Sequence, residues 1–340
     1  MGKPKLKDVA DASGVSIATA SMVLSGKGKI SRDVAQRVKE TAQSLGYSRR
    51  TRKSGTDRLH AFKYVAILHY ETTAYLWNFS QPFITYLEEL LIEKGYYPLI
   101  IHMFPQLDVK DMLQEILASG AGAVFAVHFV NEELFDDLEK AGIPVIILNN
   151  SNFQKQYFSV LVDDIQGAYE GTSYLIELGH RNIAYAEYKR PTLPAVVIDR
   201  YFGFRKAMEE HGLSFDERNK ISVELEDHAR LYARVSEIFC REDRPTAIFA
   251  HDDYFAAFVM EALKTVGLFV PKDISIIAPG NVLDYNEPFL PKISTMQIDR
   301  KLMVKLGWEL LVSRLKNPHG SVQVLKTKLP LVDRGSCRRI

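Results

Sequence analysis

Ser16-Ile17-Ala18-Thr19-Ala20-Ser21-Met22 sets small and hydroxylated side chains in a segment crowded with positive charge. Hydroxyls and basic groups hold phosphates, and a helix opening at Ile17 brings its first turn to base edges. The first sixty residues carry thirteen lysines and arginines against five acids, a net +8. The other 280 carry thirty against thirty-seven, a net −7, so the overall +1 conceals a basic head on an acidic body. A basic head fits a polyanionic partner. Lys5, Ser16, Thr19 and Ser21 are the expected phosphate or sugar contacts, joined by Arg49, Arg50, Arg52 and Lys53 just downstream.

Catalytic chemistry finds little support. Gly120-Ala121-Gly122 follows a helical stretch and precedes a strand, the reverse of a dinucleotide fingerprint. Gly26-Lys27-Gly28-Lys29-Ile30 has neither the spacing nor the hydroxyl of a P-loop. No Gly-x-Ser-x-Gly elbow or His-Glu-x-x-His pair occurs, and the nine histidines are scattered. Cys240 and Cys337 offer no disulfide framework and no metal spacing. The chain is therefore expected not to be an enzyme, and to need no metal or cofactor. Its longest apolar runs, such as Val145-Ile146-Ile147-Leu148, fall far short of the roughly 18 residues of a membrane span. The basic start leads into Leu6-Lys7-Asp8 rather than an apolar stretch, so a cytoplasmic protein with no membrane partner is expected.

The elements that position these residues divide in two. In the head, Leu6, Val9, Ala10 and Ala12-Ser13 fit a short helix stopped at Gly14. Ser16 can cap a second helix, Ile17 to about Leu24, and Ser31 a third carrying Val34, Val38, Ala42 and Leu45. Three short helices with a glycine in the first turn describe a helix-turn-helix. Val15, Ala20 and Val23 are expected in its core. From Ser48 to Phe62 the apolar pattern collapses into a basic linker.

Beyond residue 62 short apolar runs alternate with amphipathic stretches. Strands are predicted at Tyr64–Leu68, Tyr97–Met103, Ala123–Val127, Pro144–Leu148, Phe158–Val162, Asn182–Ala186, Thr246–Ala250 and Ile274–Ala278. Helices are predicted at Pro82–Lys94, Asp111–Ala118, Glu132–Ala141, Ile165–Leu178, Arg200–His211 and Tyr254–Val266. Such alternation implies an α/β fold with parallel sheets covered on both faces. The length points to two lobes, with a ligand at the carboxyl ends of the strands, in the cleft between them. The segment after the first strand, Thr73–Phe79, reads as a loop. Its Tyr75, Trp77 and Phe79 can stack on a sugar ring or base, or merely line the cleft.

Further fragments carry a family resemblance. Lys7-Asp8-Val9-Ala10, Ser13-Gly14-Val15-Ser16, Ala18-Thr19-Ala20-Ser21 and Leu45-Gly46-Tyr47 resemble the head of the lactose-repressor (LacI/GalR) family. Gly142-Ile143-Pro144-Val145, Leu178-Gly179-His180-Arg181, Arg200-Tyr201-Phe202-Gly203-Phe204 and Val270-Pro271-Lys272-Asp273-Ile274-Ser275 are similar to its body. The resemblance implies a helix-turn-helix head at 1–48, a hinge at 49–62, and a two-lobed body of type I periplasmic-binding-protein form. The lobes are expected at 63–160 with 292–322, and at 161–291 with 323–340. It implies a homodimer, or alternatively a tetramer, that binds double-stranded, pseudo-palindromic operator DNA. A small-molecule effector, of carbohydrate or related kind, would bind in the cleft. Repression is the leading reading; activation, or solute binding of the transport kind, is the alternative.

Several positions depart from that family's pattern. Ile17, Ala18 and Met22 stand where it reads bases, Met22 where arginine is common. Apolar side chains can pack on thymine methyls but cannot grip guanine; they can also face the head's own core. The leucine that the family wedges into the minor groove falls on Thr56, beside Gly55, which leaves the kinking of DNA open. Arg200 matches the effector-contacting arginine, and it also suits a structural ion pair. Asp252 and Asp253 follow a predicted strand, where they can take ligand hydroxyls or cap the next helix. Asp163-Asp164 is placed for capping. Ala278-Pro279-Gly280-Asn281 lacks the acid that the family carries there.

Overall fold

The computed structural model describes residues 5–25, 30–45, 47, 59–70, 74–103, 108–152, 154, 156–189, 195–224 and 226–340, without the side chains of 25 and 74–77. Two compact units divide the chain, Met1–Ser54 and Gly55–Ile340.

The first unit holds α1 (Leu6–Ser13), α2 (Ile17–Ser25) and α3 (Arg32–Ser44). Its core is Val9, Ala10, Ala20, Val23, Val38 and Ala42, with Val15 and Tyr47 packed against it. Gly14 ends α1 at a φ of 68°, a left-handed conformation that costs glycine nothing. The Ser13 carbonyl accepts from Arg37 Nε at 3.1 Å, which ties α3 to this turn. Ser31 stands at the N-cap of α3 as expected, but its hydroxyl makes no capping bond.

The second unit contains two six-stranded sheets. The first runs β11-β5-β4-β3-β1-β2, from Tyr64–Tyr70 (β1), Tyr97–Met103 (β2), Ala121–Val127 (β3), Val145–Leu148 (β4), Phe158–Val162 (β5) and Val324–Thr327 (β11). The second runs β12-β10-β9-β8-β6-β7, from Ile183–Tyr188 (β6), Lys220–Val223 (β7), Ala247–Ala250 (β8), Ser275–Gly280 (β9), Ser294–Gln297 (β10) and Leu331–Val332 (β12). Every pairing is parallel except that of β12 with β10. The strand order reverses beside β1 in one sheet and beside β6 in the other, and ligands of open α/β sheets bind at such reversals.

Helices α4 (Ala74–Glu93), α5 (Val109–Ala118), α6 (Glu132–Lys140) and α11 (Arg300–Lys316) accompany the first sheet. Helices α7 (Asp164–Glu177), α8 (Ala195–Glu210), α9 (His228–Phe239) and α10 (Asp253–Thr265) accompany the second. One apolar cluster runs through both lobes, from Ile67 and Phe125 to Tyr185 and Phe249, while a separate cluster fills the other face of each sheet.

Two expectations need correction. The aromatic segment expected as a loop begins α4, which starts at Ala74 and carries Pro82 in its interior; residues 71–73 lie outside the described residues. Apolar contacts hold the helix through a proline that removes one backbone bond, since Phe83, Ile84, Leu87 and Leu91 are all buried. The expected lobe boundaries also fail at the C-terminal end. Ser294–Gln297, assigned to the first lobe, pairs in the second sheet, and Val324–Thr327, assigned to the second lobe, pairs in the first. The chain changes lobes three times, after β5, β10 and β11, and the four-residue β10 and β11 bear no apolar run that could announce a change.

Candidate functional site

In the head, Ser16 Oγ accepts from Thr19 N–H at 3.1 Å, so this hydroxyl caps α2. Ser16 Oγ and Thr19 Oγ1 are also bonded to each other, at 2.8 Å. Ala20 and Val23 face inward. Ile17 and Met22 do not, with 48% and 41% of their surface exposed, and Ala18 beside them is exposed as well. Helix α2 therefore offers an apolar patch framed by hydroxyls at its N-terminal end, where unpaired backbone N–H groups favour anions. Lys5 is exposed, and its backbone N–H donates to Asp8 at 2.7 Å. Arg49, Arg50, Arg52, Lys53, Gly55 and Thr56 lie outside the described residues.

In the body, the inner ends of the two sheets bring together buried polar groups. Arg200, 3% exposed, donates from Nε to Asp164 Oδ1 at 2.7 Å and from Nη1 to the His251 carbonyl at 2.6 Å. This is the ion-pair role the sequence left open for it. Burial pushes the Asp164 carboxyl above the usual range, against the pull of Arg200. Asp163, not Asp164, caps α7.

Asp252 caps α10 by accepting from Phe255 N–H at 2.7 Å, and it also accepts from the Tyr188 hydroxyl at 2.8 Å. Asp253 anchors the loop that follows β9. Its carboxylate accepts from the N–H groups of Asn281, Val282 and Leu283 at 3.1, 2.9 and 3.2 Å, and from Tyr285 Oη at 2.9 Å. Gly280 is required here: a Cβ would lie 2.2 Å from Asp253 Oδ1, at a φ of 146°. Burial, then the neighbouring Asp252, raises the Asp253 pKa; the same burial, with the charge of Asp253, drives the Tyr285 phenol upward. Both aspartates are fully buried and turned toward protein donors.

Of the aromatic trio, the side chains of Tyr75 and Trp77 lie outside the described residues. Phe79 stands edge-on to His128 of the first lobe, ring centroids 6.0 Å apart, and packs on the apolar cluster of the second. It thus touches both lobes. Phe83, one turn further, meets His128 edge-on at 5.3 Å.

Sequence reasoning missed His128 and Arg300. His128 directly follows β3, beside the strand-order reversal, so its place at a strand end was a signal that could have found it. Burial, then the charge of Arg300, lowers its pKa to about 4, so it is neutral at pH 7. Arg300 opens α11 and donates from Nη1 to the Asn281 carbonyl at 2.9 Å. It follows a four-residue strand that the apolar pattern did not reveal. A surface groove of about 450 Å³ beside β7 and α9 is a weaker candidate: its Lys220 and Arg234 are already paired with Glu187 and Glu237.

Among the described residues, no helix is long and apolar enough to cross a membrane. Comparison with known proteins agrees with this division of the chain. A model described as "Bacterial regulatory proteins, lacI family" matches residues 5–50, and one described as "Periplasmic binding protein-like domain" matches 172–337. The HTH-type transcriptional repressor PurR of Vibrio vulnificus (strain CMCP6) is 27% identical over 346 residues, 98% of this chain and 99% of that protein. The HTH-type transcriptional regulator DegA of Bacillus subtilis (strain 168) is 30% identical over 292 residues, 83% of this chain and 82% of that protein. Among solved structures, a complex of the regulator CelR with cellobiose aligns with a TM-score of 0.67 at 22% identity, covering 98% of this chain and 99% of that one. The lac repressor dimer bound to operator and the anti-inducer ONPF aligns at 0.64 and 18% identity, covering 99% and 100%. With a capped second helix in its head, two largely parallel sheets in its body and a relative 30% identical across four fifths of both chains, this chain belongs to the lacI family of bacterial regulatory proteins, DNA-binding regulators of transcription.

Proposed function

We propose that the protein is a ligand-responsive repressor that binds a pseudo-palindromic operator as a homodimer and takes a small-molecule effector in its interlobe cleft. The observation that carries this reading is the pairing, in one chain, of two features. One is a basic head whose α2 exposes Ile17 and Met22 beside capping hydroxyls; the other is a body whose strand ends converge on buried polar groups. The PurR relatives are named repressors, and structural neighbours carry cellobiose or ribose, which supports repression and a hydroxylated effector.

Ile17, Ala18 and Met22 read thymine methyls, while Lys5, Ser16, Thr19, Ser21 and the linker's Arg49, Arg50, Arg52 and Lys53 hold phosphates. Tyr75, Trp77 and Phe79 line the cleft from the start of α4. Arg200, Asp252 and Asp253 stand behind the opposite wall and hold its shape through the protein bonds they make. Effector binding alters how the lobes meet, with Phe79 as one contact between them, and so biases DNA binding by a coupling of about 1–3 kcal/mol.

Selection from randomised duplexes with the full-length protein tests this. The expected result is an enriched inverted repeat, lost when residues 1–60 are removed, with affinity falling steeply as salt rises. Failure to enrich any sequence, or DNA binding that survives the truncation, overturns the reading.

A further inference from the structure

Arg300 is 6% exposed, yet among the described residues only its Nη1 has a partner, the Asn281 carbonyl. Nε and Nη2 are buried and find no acceptor among the described residues. A buried guanidinium with open donors is costly unless something fills them. The nearby carboxylate does not. Asp253 attracts Arg300 electrostatically but makes no hydrogen bond with it; its Oδ2 serves three backbone N–H groups and the Tyr285 hydroxyl, and Oδ1 takes a second contact from Val282 N–H.

The surroundings indicate what would. Arg300 spans the lobes: its Nη1 bonds the loop after β9, and its guanidinium carbon lies 6.0 Å from the ring centroid of Phe83 on α4. His128 meets the same ring edge-on at 5.3 Å, and its Nε2 is also buried and unpartnered among the described residues. At Asn281, which Arg300 bonds through the carbonyl, Arg334 donates to the side-chain Oδ1 at 2.7 Å and lies 3.8 Å from the Tyr285 ring centroid. Position 281, where an acid would have neutralised this corner, is asparagine.

We propose that Arg300 receives an anionic oxygen group, a carboxylate or a phosphate, carried by a hydroxylated small metabolite in the cleft. The inference rests on the reading of the cleft as the effector site and narrows the effector's class. The planar fork of Nε and Nη2 suits two oxygens of one anion, and a ligand hydroxyl satisfies His128.

The full-length protein, its R300M variant and R300K are melted in inorganic phosphate and in chloride at matched ionic strength. Phosphate is expected to raise the wild-type melting temperature saturably, R300K less, and R300M not at all, its apparent affinity at least about tenfold weaker. In chloride alone R300M should melt at or above the wild type, since it replaces an unpaired buried cation with an apolar chain of similar length. A wild type indifferent to phosphate, equal responses in wild type and R300M, or an R300M that melts well below wild type in chloride would each overturn the proposal. Parallel melts with ribose and with gluconate separate the two readings. Stabilisation of wild type and R300M alike by ribose, with no anion effect, leaves the cleft as effector site and removes the anion. Failure of the operator selection bears on the proposed function alone.

Discussion

Arg200 and Arg300 are both buried at the inner ends of the second unit's strands, and both follow an aspartate in sequence, yet their surroundings differ. Among the described residues, Arg200 lies against a carboxylate and a carbonyl, whereas Arg300 has one carbonyl and two open donor groups. Burial alone therefore does not distinguish a structural cation from one held ready for a ligand; the state of its donors does. The same contrast separates Asp253, surrounded by four donors, from His128, whose buried Nε2 has no partner among the described residues.

The largest effect is expected at the paired arginine. Arg200→Ala leaves Asp164 buried without its counter-ion, and should destabilise the protein by about 3–5 kcal/mol. Urea unfolding measures it, and a loss within 1 kcal/mol would place Arg200 with Arg300 rather than opposite it.

His128 sharpens the other side through pH. Its folded pKa, about 4, lies below the 6.5 of the unfolded chain. Its full contribution is present above about pH 6.5 and is lost as pH falls toward 4, where the unfolded state takes the proton first. That loss is on the order of 3 kcal/mol. His128→Asn should flatten the difference in a pH series of unfolding curves, while the opposing contributions of Asp164 and Asp253, whose pKa values are raised, cancel between the two proteins.

Asp253→Ala removes the common acceptor of the loop after β9 and should cost about 1–3 kcal/mol. Faster amide exchange at Asn281, Val282 and Leu283 would be its local signature; unchanged exchange there would deny it the anchoring role.

The smallest effects belong to the head. Ser16→Ala loses the α2 cap, a cost of about 1 kcal/mol. Ile17→Ala and Met22→Ala should change stability by under about 0.5 kcal/mol, because both are half exposed, while altering the operator recovered by selection. A large loss of stability in either would return that residue to the core.

Much of the architecture was legible in the chain itself. Strands β2 and β5 have the bounds that their apolar runs predict, and Gly14, Ser16 and the inward Ala20 and Val23 delimit α2, because helix caps, left-handed turns and buried faces each leave a local mark. Spacing also brought Asp252 and Asp253 to the end of a predicted strand, while Arg200, expected at a helix start, lies inside α8, which begins at Ala195. What spacing could not give was the partner of each. Whether Arg200 holds a ligand or Asp164, and whether Asp253 faces the cleft or the loop after β9, depends on residues 28 to 36 positions away. The assignment of β10 and β11 to their sheets was equally out of reach, since strands of four residues carry too few apolar positions to declare a side. Arg300 shows the limit most sharply. In sequence it is one more cation at the start of a helix. Only the packing of Phe83, Asn281 and the first turn of α11 around it buries its charge and leaves its donors open.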